Sequence, residues 1–340
     1  MGVRLLCRSL KICFKKCGSV LTLTIAFGVL ISVWMSGIGN AWTGEIAPGD
    51  EPAADSPSDH RSFSEALDRE IERYIQMLSQ EQGMESWRNA TWKRYPLGPG
   101  LKSWLVLVLK DSEEIGYLVV TGDNSTFHLA EYGSGKSPLF SANTFRQALE
   151  LQGIKTGLDD GNIKGEMHYA GAFQAVWKVG DGTEALYLDA VTGEWFPLDD
   201  ASVKAAERDW NHLMAKEGIV PAANGGVKKR LRLPSFDPFV KLNWVDNQAL
   251  AVSTSSALMD LLSETPTGPE DGITFTARLF GQRVTVPLAI TGFDLWEDGQ
   301  VYVRIDHFGE RYIPFALFQQ FGEFYGERTI AKAESWYDEF

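Results

Sequence analysis

The chain has 340 residues, of which 44% are hydrophobic and 12% aromatic, and this composition is typical of a folded protein rather than a disordered one. Its net charge of −13 hides an asymmetry, because residues 1–17 carry +5 and leave −18 for the remainder. Such an acidic remainder argues against nucleic acid as a partner, since that binding requires a basic surface.

A basic end and an apolar stretch open the chain. Five basic residues and no acidic residue precede Cys17, and no charged residue lies between Cys17 and Gly44. As a helix rising about 1.5 Å per residue, segment 18–38 is long enough to cross a hydrocarbon core of roughly 30 Å. The positive-inside rule predicts that residues 1–17 stay in the cytoplasm and that the chain after Gly44 is extracytoplasmic. We therefore expect a single-pass protein of the cell membrane.

The same segment allows a second interpretation, a cleaved signal peptide. Small residues at 39–41 suit signal peptidase, and cleavage after Ala41 would make the protein secreted. In favour of retention, the apolar run is longer than a usual signal core. In addition, Trp34 and Trp42 would lie at the outer membrane interface of a retained helix, where tryptophan is enriched.

All three cysteines, Cys7, Cys13 and Cys17, precede the apolar stretch. The chain after Gly44 is therefore expected to have no disulfide, no thiolate metal site and no cysteine nucleophile. The five histidines of the chain show no metal-ligand spacing. We expect no metal and no cofactor.

After a disordered acidic linker at 44–61, two regions show the same order of predicted elements. A helix from Ser62 to Gln82, with Glu65 completing a capping box, precedes four strands. A second helix, 141–151, precedes four more strands, and a third helix is predicted at 201–217. The predicted strands are 91–95, 103–109, 117–121, 126–132, 165–169, 173–179, 185–189 and 195–198. Helix plus antiparallel strands, twice over, predicts two copies of a small α+β unit, 62–135 and 141–218.

The stretch AVWKVGDGTEALYLDAVTGEWFPL contains an aromatic strand and a Tyr-Leu-Asp-x-x-Thr-Gly-Glu hairpin, and it resembles the end of a PepSY-type unit. The phrase GYLVVTGDNSTFHLAEYGSG is similar to strands of propeptides attached to papain-like bacterial proteases. The resemblance implies that region 62–218 inhibits or chaperones a peptidase domain, or binds protein at the cell surface.

A second linker is predicted at 219–238, where NGG and two prolines flank the basic run 228–232. Such a run is typical of a solvated loop, and a protease-sensitive hinge or a docking patch are alternatives.

The last hundred residues predict a third region at 239–330, followed by a tail at 331–340. FVKLNWVDNQALAVSTSSALMDLL leads from an irregular segment into a helix. Later, VPLAITGFDLWEDGQVYVRIDHFGERYIPFALFQQF predicts a hairpin turned at 297–299, a strand at 310–313 and a helix at 314–321. This arrangement resembles the papain-like fold of bacteriocin-processing peptidases.

The resemblance assigns the family's catalytic positions to residues that cannot perform its chemistry. Leu250 falls at the cysteine, Val286 or Pro287 at the histidine, Asp306 near the acid, and Trp244 at the oxyanion-hole glutamine. The family reaction requires a thiolate activated by an imidazole. Leucine cannot attack a carbonyl, and neither valine nor proline can move a proton. The resemblance thus implies a degenerate, catalytically inactive domain.

The sequence therefore predicts an α+β protein with an N-terminal transmembrane helix, helix-plus-antiparallel-sheet units, and a small papain-like or other α+β domain. Its expected role is non-catalytic binding of a protein or peptide at the bacterial envelope. A serine hydrolase that uses Ser253 or Ser255 with His307 is one alternative. A structural or adhesive envelope protein is the other.

Overall fold

The structure, a computed structural model, describes residues 57–98, 103–122, 126–154, 165–180, 185–214, 216, 225–240, 242–264 and 272–326. The predicted transmembrane segment 18–38, most of the acidic linker and the tail 331–340 lie outside these residues. Helices and antiparallel sheets are both present, which confirms the α+β class.

Most elements agree with the predicted ones to within a few residues. The helices are α1 (Pro57–Leu78), α2 (Ala142–Leu151), α3 (Asp200–Met214), α4 (Asn243–Asp246), α5 (Ser255–Glu264) and α6 (Phe315–Phe321). The strands before α3 are β1 (Thr91–Pro96), β2 (Ser103–Lys110), β3 (Glu113–Gly122), β4 (Phe127–Ser134), β5 (Gly165–Tyr169), β6 (Ala175–Val179), β7 (Leu186–Asp189) and β8 (Trp195–Phe196). Those after it are β9 (Val227–Arg232), β10 (Ile273–Leu279), β11 (Val284–Trp296), β12 (Val301–Asp306), β13 (Glu310–Pro314) and β14 (Gly322–Tyr325). α1 begins at Pro57 rather than at the capping box predicted for Ser62, so Ser62 lies inside the helix.

The described strands form two antiparallel sheets. The large sheet has ten strands in the order β1-β2-β3-β4-β13-β12-β11-β10-β14, with β9 beside β11. The small sheet follows the chain, β5-β6-β7-β8. β4 pairs with β13, Tyr132 opposite Tyr312, and this pairing joins the strands of 91–134 to those of 273–325 in one sheet. The regions 62–218 and 239–330, expected to be separate, therefore share a sheet within one compact unit.

Residues 219–238 were expected to form a second linker, but residues 227–232 within this range form strand β9. β11 is long enough to pair twice along one edge, with β10 over residues 284–290 and with β9 over 292–296. Gly292 marks the change of partner: it has φ +139°, and a Cβ there would lie 1.9 Å from the Leu231 carbonyl oxygen. Only glycine fits both conditions.

The large sheet is covered on both faces, which explains its nearly continuous apolar strands. In β2, Trp104 and Val106 pack towards α1, whereas Leu105 and Leu107 pack towards the small sheet with α2 and α3. Successive side chains of a strand point to opposite faces, so one strand supplies both cores. The layers are thus α1, the large sheet, and the small sheet with its two helices.

The hairpin of the PepSY-like motif is held by its own aspartate. Asp189 Oδ1 accepts hydrogen bonds from the backbone N–H groups of Val191 at 2.9 Å and Thr192 at 2.6 Å. Gly193 completes the turn with φ +72°. The Asp-x-x-Thr-Gly pattern is therefore explained by turn geometry.

Candidate functional site

A buried ionic cluster, which was not predicted from the sequence, lies where the two sheets meet. Arg311 of β13 donates from Nη2 to Glu131 Oε2 of β4 at 2.7 Å, and from Nε to the Tyr117 hydroxyl at 2.8 Å. Tyr117 donates to Glu131 Oε2 at 2.8 Å, and Tyr169 of the small sheet donates to Oε1 at 3.0 Å. Glu131 is fully buried and Arg311 almost so, and each charge is satisfied by several partners. Four strands from both sheets are thus tied at one point.

The cluster has consistent electrostatics. Burial raises the pKa values of Tyr117 and Tyr169 well above the usual range, which keeps both phenols as neutral donors. Burial alone would lower the pKa of Arg311, but the neighbouring Tyr117 and Glu131 reverse this effect and its pKa is raised. Gly133 leaves room for this crowding, since a Cβ there would lie 2.6 Å from the Tyr117 ring.

His307 joins the cluster from the turn between β12 and β13. Arg311 Nη1 lies 3.2 Å from His307 Nδ1, so Nδ1 is the acceptor and the imidazole is neutral. Burial lowers the pKa of His307 to about 4; Asp189 opposes this shift and Arg311 reinforces it. Asp189, His307 and Arg311 line one cavity with apolar side chains such as Val286. Its volume of about 10 Å³ accommodates at most one water molecule, so these converging groups have no room for a substrate.

A second ionic cluster lies on the α1 side of the large sheet. Asp294 of β11, fully buried, accepts from Arg230 Nε of β9 at 2.7 Å and from the Tyr132 hydroxyl at 2.7 Å. The Arg230 guanidinium also lies 5.4 Å from the centre of the Tyr312 ring. The basic run 228–232 therefore has a structural role, because one of its arginines neutralises a buried carboxylate.

The three positions assigned by the papain-like resemblance do not come together. Leu250 donates its N–H to the Phe324 carbonyl at 2.8 Å, beside β14 at the end of the sheet. β14, β10 and β11 separate it from Asp306 on β12, a distance of about 15–20 Å at the usual strand spacing. Val286 lies on the opposite face from Asp306, because Asp306 pairs with Ala289 and neighbouring side chains alternate.

The remaining residues of that assignment also have structural partners. Pro287 pairs with Thr276 in the β10–β11 ladder. Trp244 Nε1 donates to the Pro238 carbonyl at 2.9 Å. Asp306 accepts a hydrogen bond from the Ser235 hydroxyl. The assigned residues do not build a peptidase-like centre, and the family resemblance itself stays a prediction.

The serines of the hydrolase alternative do not meet His307 either. The Ser253 carbonyl accepts from Gln319 Nε2 of α6 at 2.5 Å, and Ser255 opens α5. α6 follows β13, whereas His307 precedes that strand, so the length of β13 separates the histidine from the serines. Among the described residues, no hydrogen bond joins Ser253 or Ser255 to His307.

A groove of about 640 Å³ lies between α3 and the β10–β11 turn. Its two arginines are already neutralised at the rim, Arg278 by Glu323 at 2.5 Å and Arg283 by Asp199 at 2.9 Å. The groove therefore offers little net charge to a ligand.

The most unusual surface is the segment 234–254, which we call the strap; Lys241 within it lies outside the described residues. Four large apolar side chains are strongly exposed here: Phe239 (65%), Val240 (78%), Leu242 (48%) and Val245 (58%). Single exposed apolar residues are ordinary, but four within seven positions are not.

The strap is held by polar contacts rather than by these apolar side chains. Asn243 Nδ2 donates to the Gly272 carbonyl at 3.3 Å, and Asn247 Nδ2 donates to the Gly326 carbonyl at 3.0 Å. The Phe239 ring meets the half-buried Trp244 edge to face, with centroids 6.4 Å apart. The strap thus presents apolar groups to solvent in a fixed arrangement.

Comparison with protein families, curated proteins and solved structures finds no match to the chain. Among the described residues, no group of three or more His, Cys, Asp or Glu side chains is arranged to hold a metal ion. None of the described helices combines the length and the apolar character needed to span a membrane.

Proposed function

We propose that this is a membrane-anchored, extracytoplasmic protein of the bacterial envelope that binds a protein partner without catalysing a reaction. The observation that carries the proposal is the strap, which exposes Phe239, Val240, Leu242 and Val245 on an anchored backbone. Exposed apolar patches of this kind are typical of protein-interaction surfaces. A surface that is already ordered loses less conformational entropy when it binds.

The placement in the envelope rests on the sequence. The basic residues 1–17, the uncharged stretch up to Gly44 and the position of all cysteines before it support an N-terminal helix in the membrane. A secreted form, cleaved after Ala41, has the same binding surface.

The ionic clusters support a binding role over a catalytic one. Asp189, His307 and Arg311 converge on a cavity of about 10 Å³. Arg311 pairs with Glu131, which also accepts from Tyr169 of the small sheet, so this cluster joins the two sheets. A catalytic interpretation needs such groups at a pocket that admits substrate.

The test uses the full chain in its own cells. A photoreactive amino acid is placed at Val240 or, as a control, at Leu151 of α2, which is 73% exposed. The cross-linked protein is identified, purified and titrated against the wild-type chain, the double variant Phe239→Ser/Val240→Ser and the control Leu151→Ser. We expect at least tenfold weaker binding for the double variant and unchanged binding for the control. Equal cross-linking at both positions, or binding that the double variant does not weaken, would refute the proposal.

A further inference from the structure

We infer that the strap takes a short protein segment whose apolar side chains are flanked by Lys or Arg. This inference rests on the proposed function and goes further, since it specifies the chemistry and size of the partner. It follows from the strap's charge, its area and its rigidity.

Charge gives the first argument. Two carboxylates bracket the apolar side chains, Asp237 before Phe239 and Asp246 after Val245, and both residues are exposed. The one basic residue between them in the sequence is Lys241, which lies outside the described residues, so the bracket itself is anionic at both ends. Asp237 Oδ1 accepts from the Phe239 backbone N–H at 2.9 Å, so its carboxylate is fixed beside the first apolar residue. The chain after residue 17 carries −18, which adds a long-range attraction for cations. A cationic flank on each side of an apolar centre complements this pattern.

Area gives the second argument. Four partly exposed side chains of these types offer on the order of 400 Å², about half of what each partner of a stable protein pair contributes. A second copy of this chain would need a wider apolar face than the strap supplies. A short segment of another protein matches the area.

Order gives the third argument. Besides the two asparagine contacts, the Leu250 N–H donates a hydrogen bond to the Phe324 carbonyl of β14. The Gln319 side chain of α6 donates one to the Ser253 carbonyl. The strap is therefore tied both to the sheet edge and to α6. A surface held in this way can bind a segment that is itself disordered, because only the partner loses conformational freedom. An anionic bilayer is a poorer fit, since the two aspartates would face like charge.

The experiment titrates the full-length chain, in nanodiscs of a zwitterionic lipid, with three synthetic peptides. They share one apolar centre of Leu and Phe and carry flanks of Lys, Ser or Glu. We expect affinity in the order Lys, Ser, Glu, with at least tenfold loss for Phe239→Ser/Val240→Ser. Asp237→Asn/Asp246→Asn should weaken the Lys-flanked peptide about three- to tenfold and leave the Ser-flanked one unchanged. Asn retains the acceptor that bonds the Phe239 N–H, so this variant removes charge and keeps the local structure.

The control removes a carboxylate elsewhere, with Glu150→Gln on the exposed face of α2, and should change no affinity. Equal affinity for Lys and Glu flanks would overturn the inference but leave the proposed function standing, because the apolar contact would still bind. Absence of binding by all three peptides would also overturn it, and cross-linking at Val240 would then decide the proposed function alone. A dimer in sedimentation that Phe239→Ser abolishes would assign the strap to a second copy instead.

Discussion

Arg311 and Glu131, which are 180 positions apart in the sequence, form an ion pair of 2.7 Å across the contact between β13 and β4. It lies against the small sheet, where Tyr169 supplies a further hydrogen bond to Glu131. Two parts of the sequence that look independent are therefore joined by a charge pair in their shared core. Removal of either charge leaves the other buried and unpaired, which is far more costly than the loss of a surface pair.

Replacement of Glu131 by Gln should therefore lower the free energy of unfolding by about 3–5 kcal/mol. The matched control is Glu70→Gln, which removes a partly exposed partner of Arg73 at 2.8 Å and should cost about 0.5 kcal/mol or less. Urea unfolding at neutral pH measures both. If the two variants lost similar stability, the buried pair would not stabilise the joined sheet.

The change of strand partner at Gly292 predicts a graded series of alanine variants. Gly226 has ordinary φ and open space, Gly299 has φ +86° and open space, and Gly292 has both a positive φ and the Leu231 carbonyl in the way. We expect no loss for Gly226→Ala, about 1 kcal/mol for Gly299→Ala, and more than 3 kcal/mol for Gly292→Ala. Thermal unfolding ranks the three. A Gly292→Ala variant as stable as Gly299→Ala would show that β9 does not need this close approach.

The sequence predicts local elements well here and long-range pairing poorly. Turn residues and alternation locate β5 at the observed bounds and the β11–β12 hairpin at its observed turn, because both depend on neighbouring residues. β9 was not predicted, because the basic run 228–232 has the charge typical of a loop. The pairing of this strand depends on Asp294 of β11, more than sixty residues away.

The site shows the same limit. Glu131 and Arg311 each interrupt an apolar strand on a core-facing position, and a charge there signals a buried partner. Nothing local says which partner it is, since that depends on the pairing of β4 with β13. The strap was predicted as irregular, but its exposure depends on the sheet edge to which it is tied.

Two histidines should give opposite pH dependences of stability. Burial alone would lower the pKa of His168, but the hydrogen bond and charge of Glu207, 2.7 Å away on α3, raise it, with help from Glu166. Its stabilisation is therefore present at acidic pH and is lost as pH rises through the raised pKa. The folded pKa of His307, about 4, is depressed, so its contribution is present above about 6.5 and is lost as pH falls towards 4.

Unfolding free energies between pH 4 and 9 separate these effects. His168→Gln should lose most stability relative to wild type at the acidic end, and the difference should shrink as pH rises. His307→Gln, which still offers Arg311 an acceptor, should remove up to about 3 kcal/mol of the wild-type decline between pH 6.5 and 4. His212→Gln, on the exposed side of α3, is the control and should follow the wild type. Parallel profiles for all three variants would contradict both assignments.

Local loosening of the strap should weaken binding without unfolding the sheet. Asn243→Ala and Asn247→Ala each remove one hydrogen bond from a side-chain amide to a backbone carbonyl. Such a hydrogen bond contributes about 0.5–1.5 kcal/mol. We expect faster hydrogen exchange across 242–252 and little change in the melting temperature, because the core clusters do not include these asparagines. Gln80→Ala, which removes the amide that bonds to Ser79 near the end of α1, is the control and should leave exchange in the strap unchanged. If exchange in the strap stayed at the wild-type rate in both asparagine variants, its order would come from other contacts. The strap would then not bind as a preorganised surface, even if its apolar side chains still bound a partner.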